Sequence, residues 1–170
     1  MDPTEVPDNL TSFYYTNIEL NKDLPMEIKY NNDVLYQSKL INYFNGDYSK
    51  SKIEKDVNNF LKKIKKNKRY SFSKKDVIFL ESLKSDGIKI SEKFDDLYLI
   101  SQNEMPTDIQ IMINNNEPGA ALLRIVEVIG QDRLERMDED TIYFIISALN
   151  QLNIDSIRNK ILFKVLPLKV

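Results

Sequence analysis

NNNEPGAALLRIVEVIG, residues 114–130, sets a polar triplet and a Pro-Gly pair ahead of a dense apolar run. Amides at a helix start can hold an anion, and a glycine there permits close approach, so the stretch reads either as a phosphate cradle or as the corner between two packed helices. A phosphate loop requires G-x-x-x-x-G-K-[ST] after a strand, whereas Gly119 is followed by Ala-Ala-Leu-Leu, and the dinucleotide fingerprint is missing too. The preceding residues, DIQIMIN, read as helix. Corner is therefore the expectation.

Asn116 is the expected cap of the second helix, and Pro118 in its first turn forfeits no intrahelical bond because those amides have no partner anyway. Gly130 is the expected stop. On a helical wheel only Ala120, Arg124 and Glu127 fall on the polar side of residues 120–129. An apolar arc of more than half the circumference is too wide for one neighbour, so this helix should be covered on two sides.

Working outward, Thr107-Asp108-Ile109-Gln110 fits a capping box opening a short helix that ends near Asn115. Downstream, QDRLERM has Asp132 and Arg136 at i,i+4 spacing, and Asp138-Glu139-Asp140 gathers carboxylates where a helix start attracts negative charge. The following TIYFIISALNQL carries a broad apolar arc, with Tyr143 and Phe144 at core spacing. Asn153 breaks it, and Asp155 caps SIRNKILFKVL, which includes Phe163 and runs to Pro167. The closing VLPLKV reads either as a docked tail sealing the last helix pair or as an insertion peptide for a partner. A weak echo at 36 residues aligns Ile125, Val126 and Ile129 with Ile161, Leu162 and Val165, a period within the range of helix-turn-helix repeats.

Upstream, residues 33–44 read as a helix capped by Asp33 and stopped at Gly46. Residues 51–67 put Ile53, Val57, Phe60, Leu61 and Ile64 on one stripe and Lys55, Lys62, Lys65, Lys66 and Arg69 opposite. Ser73 through Asp76 resembles a capping box before VIFLESL, with Gly87 as the stop, and Ser91 is a candidate cap for EKFDDLYLIS. By β-branched content SFYYTNIEL, KISEKFDDLYLI and IQIMI read equally as strands, but no Asn-Gly or Asp-Gly turn joins two alternating runs convincingly. The fold class is expected to be all-α: stacked antiparallel helix pairs in a short α-solenoid-like array. Three regions follow, an irregular acidic N-terminal segment (1–32), a helical region containing the basic helix (33–100) and a C-terminal helical-repeat region (101–170).

The chain has 170 residues, 42% of them apolar, enough for a core, and lacks cysteine and histidine. Disulfides, thiolate or imidazole metal sites and histidine-based catalytic triads are thereby excluded. No zinc, haem or other cofactor is implied. No apolar run reaches the roughly 18 residues that cross a bilayer, and MDPTEVPDNL lacks the basic and apolar regions of a signal peptide, so cytoplasmic is the default expectation.

Net charge is −2, unevenly distributed. Residues 50–75 carry 11 basic residues against Glu54 and Asp56, while the segments on either side are acidic. Lys62, Lys63, Lys65, Lys66, Lys68 and Arg69, followed by Tyr70, form the candidate surface for a protein partner or nucleic acid: lysines neutralise phosphates, and Tyr70 and Phe72 are able to stack on bases. The bland alternative is a solvated helix face. Asp138-Glu139-Asp140 lacks a calcium-loop spacing and reads as helix-start electrostatics.

In EPGAALLRIVEVIG, DTIYFIISALNQLNID and RNKILFKVLPLKV, residues 114–170 resemble the C-terminal part of large helical-repeat proteins of alphaproteobacteria. The tetratricopeptide signature is absent, since the chain has no Trp. The resemblance implies an α-solenoid belonging to a longer repeat protein, and no activity. With no catalytic equipment evident, the expected function is a non-enzymatic protein-protein interaction or scaffold module, with nucleic-acid binding through residues 62–69 as the alternative.

Overall fold

Short polar side chains that compete for backbone partners set most of the element boundaries. The computed structural model describes residues 28–97 and 105–169. Six α-helices run through these residues: α1 (Lys50–Lys65), α2 (Lys74–Ser85), α3 (Thr107–Asn114), α4 (Pro118–Ile129), α5 (Glu139–Gln151) and α6 (Asp155–Val165). Short 3-10 turns supplement them, and two-residue strands β1 (Ile28–Lys29) and β2 (Leu168–Lys169) pair antiparallel, Ile28 opposite Lys169. The described chain is mostly helical, an all-α fold. The strand-like segment SFYYTNIEL lies outside the described residues, whereas IQIMI is helical.

Helix α1 begins where the Ser49 hydroxyl accepts from the Lys52 amide, and it buries Ile53, Val57, Leu61 and Ile64, with Phe60 half-buried beside them. The stripe read from sequence is the buried face. Ser73 and Asp76 form the reciprocal capping box that opens α2. Asp138 caps α5, accepting from the Thr141 amide at 2.8 Å, which holds its carboxyl below the usual aspartate value. Gly130 ends α4 at φ 60, ψ −130, a backbone that side-chain-bearing residues rarely adopt.

Several expectations are corrected. Residues 33–44 are not one α-helix but two 3-10 segments, Leu35–Gln37 and Lys39–Asn45. Ser38 separates them with extended backbone, its hydroxyl donating to the Leu35 carbonyl at 2.7 Å and accepting from the Leu40 amide, so it replaces the continuing helical ladder with side-chain bonds. Asp33 is accordingly no cap. Thr107 is already the first helical residue of α3, with Pro106 at the cap position and no side-chain cap bond, and Glu117 rather than Asn116 precedes α4.

A further correction concerns α4. It buries Ala121, Ile125 and Ile129, but Leu123 is 37% and Val128 42% exposed. Among the described residues its principal neighbour is α3, and part of its apolar arc remains exposed.

Asn116 closes α3 instead, in the left-handed conformation at φ 58, and Asn153 closes α5 at φ 55. The Asn116 amide donates to the Ile113 carbonyl and the Glu117 amide to Met112; the Asn153 amide donates to Asn150 and the Ile154 amide to Leu149. Both corners are thus Schellman turns of the same form. Glu117 (φ −110, ψ 66) and Ile154 (φ −97, ψ 66) then start the next helix with nearly the same backbone, so Ile154 and not the expected Asp155 stands at the cap of α6. Residues 114–118 are a helix-helix corner.

The two turns set the offset between the hairpins at 37 residues, correcting the 36 expected from sequence. At 37, Ala121, Ile125 and Ile129 meet Arg158, Leu162 and Leu166, and all six are buried. At 36, half-buried Val126 would meet buried Leu162.

Packing centres on α2 against α5, with α6 beside α5 and the Lys39–Asn45 turn across α6. Helix α1 joins through that same turn and through the 3-10 turn Glu92–Leu97, and the α3–α4 hairpin joins through α3 on α5. One core cluster extends from Leu35 to Leu166, drawing on residues either side of position 100. Phe44 meets Phe79 edge to face at its centre, ring centroids 5.6 Å apart. Full burial of Phe79 contributes about 1.5–3 kcal/mol.

Candidate functional site

The basic segment occupies the last turns of α1 and the loop beyond it. Cations there offset the partial negative charge of the terminal carbonyls, a structural reason for lysines at this end. Lys62, Lys63, Lys65, Lys66, Lys68 and Arg69 are all exposed. Lys63 faces Asp33 at 3.5 Å, and Lys65 bonds the Lys93 carbonyl and the Asp96 carboxylate. Lys62, Lys66, Lys68 and Arg69 have no ion-pair partner among the described residues.

Tyr70 departs from the rest of the set. Its hydroxyl accepts from the Leu35 amide at 2.9 Å and donates to Asp76 at 3.1 Å, and its ring meets Phe72 edge to face. Burial pushes its ionisation well above the usual tyrosine value. Tyr70 braces the 3-10 turn Leu35–Gln37 against α2 and is not held out beside the lysines. An open cleft of about 340 Å³ adjoins Lys63 and is lined also by Lys39, Tyr48, Phe60 and Asp56. Asp56 opposes the two lysines there as an anion site.

Other polar groups are committed internally. Asp76 accepts from the Ser73 and Tyr36 amides and from the hydroxyls of Ser73 and Tyr70, while burial still raises its pKa above the usual aspartate value. Glu81 accepts from the Tyr143 hydroxyl at 3.2 Å; burial raises both groups, Tyr143 to about 12. Fully buried Arg158 donates to Asp86 at 2.7 Å, to Asn150 at 3.0 Å and to Asn159, pairs with Asp155, and lies over the Phe44 ring. Such groups clamp α6 to α5 and to the end of α2. Sequence reading missed Arg158, although 158, 161, 162 and 165 fall at the i, i+3, i+4, i+7 positions of a core stripe.

Among the described residues, the α3–α4 hairpin carries the exposed large apolar side chains. Ile111 (53% exposed), Leu123 and Val128 are the exposed large hydrophobics among the described residues, and all three belong to it. Arg124 ties the two helices across their outer face, donating to Asp108 at 2.6 Å and to Glu127 at 3.2 Å. That contact holds the Asp108 carboxyl below its usual value. Ile111 stands one turn from Asp108, and Val128 one turn from Arg124, so both flank the ion pair. Leu123 projects about 140° from Val128 around α4, onto a different side.

No group of three or more acidic side chains able to hold a metal converges among the described residues, and no described helix is long and apolar enough to cross a membrane. No protein-family model, curated protein or solved structure matches the chain.

Proposed function

We propose that the chain is a non-enzymatic helical interaction module, and that its α3–α4 hairpin engages an amphipathic helix of another protein. The observation that carries this reading is that Ile111, Leu123 and Val128, the exposed large hydrophobics among the described residues, all lie on one hairpin. Scattered apolar residues on a surface need no explanation, but Ile111 and Val128 flank one ion pair on the hairpin and mark a contact region there. A stacked array of helix pairs fits the same reading. The hairpins α3–α4 and α5–α6 share one turn geometry, and α3 packs on α5 as neighbouring units do. The packing of α2 on α5 adds a contact that a strictly nearest-neighbour array lacks.

Photo-crosslinking residues at positions 111 and 128 test the proposal, with position 55, exposed on α1, as the control. A discrete crosslinked protein is expected from 111 and 128 and not from 55. Equal yields at all three positions would reject the reading.

Nucleic-acid binding is the second reading, favoured by the four cations without ion-pair partners and weakened by Tyr70 facing inward. It requires oligonucleotide affinity that falls steeply with salt and disappears when Lys62, Lys66, Lys68 and Arg69 are reversed to Glu.

A further inference from the structure

The cleft beside Lys63 carries charges of both signs that no contact within it joins. One wall is a single side of α1, where Asp56, Asn59, Phe60 and Lys63 fall at i, i+3, i+4 and i+7. The facing wall includes Lys39 and Leu40, at the start of the Lys39–Asn45 turn, and Tyr48 beyond its end. Asp56 is half-buried, and among the described residues its carboxylate has neither a hydrogen bond nor an ion pair. Tyr48 belongs to the Asp56 end: burial and then the Asp56 charge raise its ionisation above the usual tyrosine value. Lys52, one turn before Asp56, sets its ammonium over the Tyr48 ring, 4.7 Å from the centroid. The two lysines share the other end, since Asn32 bonds the Lys39 amide at 3.2 Å and its neighbour Asp33 meets Lys63 at 3.5 Å. The Lys39 ammonium has no ion pair among the described residues, and the Lys63–Asp33 contact joins two largely exposed side chains that solvent screens.

We infer that this cleft binds a short free peptide, its amino group at Asp56 and its carboxylate at Lys39 and Lys63. A simple anion there meets Asp56 and a simple cation meets two lysines, so a ligand bearing both charges is the one that satisfies both ends. Asp56 and Lys63 stand seven residues apart on α1, ~10.5 Å along the helix axis. That exceeds the separation of amine and carboxylate in one amino acid and suits about three extended residues at ~3.3–3.6 Å each. Between the charges, half-buried Phe60 and Leu40 offer apolar contact to the middle side chain. Asn59 lies one turn from either charge, and its amide presents a donor and an acceptor to a peptide group. The volume of about 340 Å³ falls within the range of small-ligand sites. Because the cleft is open, its charges act partly through water, which makes the binding weak and salt-dependent. Every lining residue precedes α2, so the site is separate from the α3–α4 hairpin and does not rest on the interaction reading.

Titration of the isotope-labelled full chain with the tripeptide Ala-Leu-Ala, followed by amide NMR shifts, tests the assignment. Saturable shifts are expected at residues 38–40 and 56–63. Affinity should fall by about threefold or more when the peptide's amino group is acetylated, and again when its carboxylate is amidated. Asp56→Asn should abolish the discrimination against the acetylated peptide and keep that against the amidated one, and the Lys39→Met/Lys63→Met pair should do the reverse. The amide spectra verify that these variants fold, and the blocked peptides test the parent chain independently of them. 8-Aminooctanoate has the same end charges at a similar separation without peptide groups, and it should bind more weakly than the tripeptide. Equal binding by 8-aminooctanoate overturns the peptide as the ligand. Equal binding of the doubly blocked tripeptide overturns the inference, as does discrimination that survives the substitutions. An absence of saturable shifts in the cleft at millimolar tripeptide overturns it as well.

Discussion

Replacing Arg158 with methionine should destabilise the fold more than its place in a polar stretch of sequence suggests. Methionine retains length and contact with Phe44 but removes every donor from a group with 0% exposure. Asp86, its carboxylate 12% exposed and 2.7 Å from the guanidinium, is left without its cation, and Asn150 and Asn159 each lose a donor. The gross attraction of two charges about 4 Å apart at an intermediate dielectric is roughly 4 kcal/mol, most of which the desolvation of both groups offsets in the intact pair. Breaking a buried pair from one side is a different matter, costing about 3–5 kcal/mol, because the remaining charge stays desolvated. For a chain of this length that corresponds to a fall in Tm of roughly 6–20 °C. Thermal and urea unfolding followed by far-UV circular dichroism measure it. Adding Asp86→Asn should recover part of the loss, with a coupling of about 1–3 kcal/mol in the double-mutant cycle. A single-substitution cost below about 1 kcal/mol, or strict additivity, would refute the clamp.

Glu81→Gln tests the sign of a buried carboxyl. Burial raises its pKa above 4.5, so the folded chain holds the proton more tightly than the unfolded chain; the stability it contributes is full below 4.5 and is lost as pH rises through the folded value. Gln keeps an acceptor for Tyr143, so the variant's urea midpoint should fall less than the parent's as pH rises from 4.5; parallel pH profiles would contradict the assignment. Asn153, at φ 55, should tolerate Gly with little change and lose about 1 kcal/mol on substitution by Ala, measured by urea unfolding. An Ala variant as stable as the Gly variant would mean that the left-handed turn is not maintained in solution.

Local chemistry was legible, and the reason is range. The α1 stripe depends on residues three and four apart, the Ser73–Asp76 box on one turn, the Pro118 start and Gly130 stop on single backbones. The exposure of Lys55, Lys62, Lys65 and Lys66 followed from the same wheel. Where a nearby side chain competes for the ladder, as Ser38 does, propensity over residues 33–44 misled, because one hydroxyl bonding Leu35 and Leu40 splits the helix.

The sequence by itself determined the helical class, the Ser73–Asp76 capping box, the corner at residues 114–118 and the breadth of the apolar arc on α4. Tertiary structure alone decided which arcs are covered. Ala148 and Ile111 occupy corresponding places on two similar hairpins, yet one is buried and the other faces solvent. Arg158 and Ala121 correspond likewise, and Arg158 is tolerated in the interior only because Asp86 and Asn150 arrive from elsewhere in the chain. Periodicity shows which face of a helix is apolar, since that pattern is carried by its own residues. Whether the face is dry depends on the position of other elements, and this is set by the competition among all such faces for a limited number of neighbours.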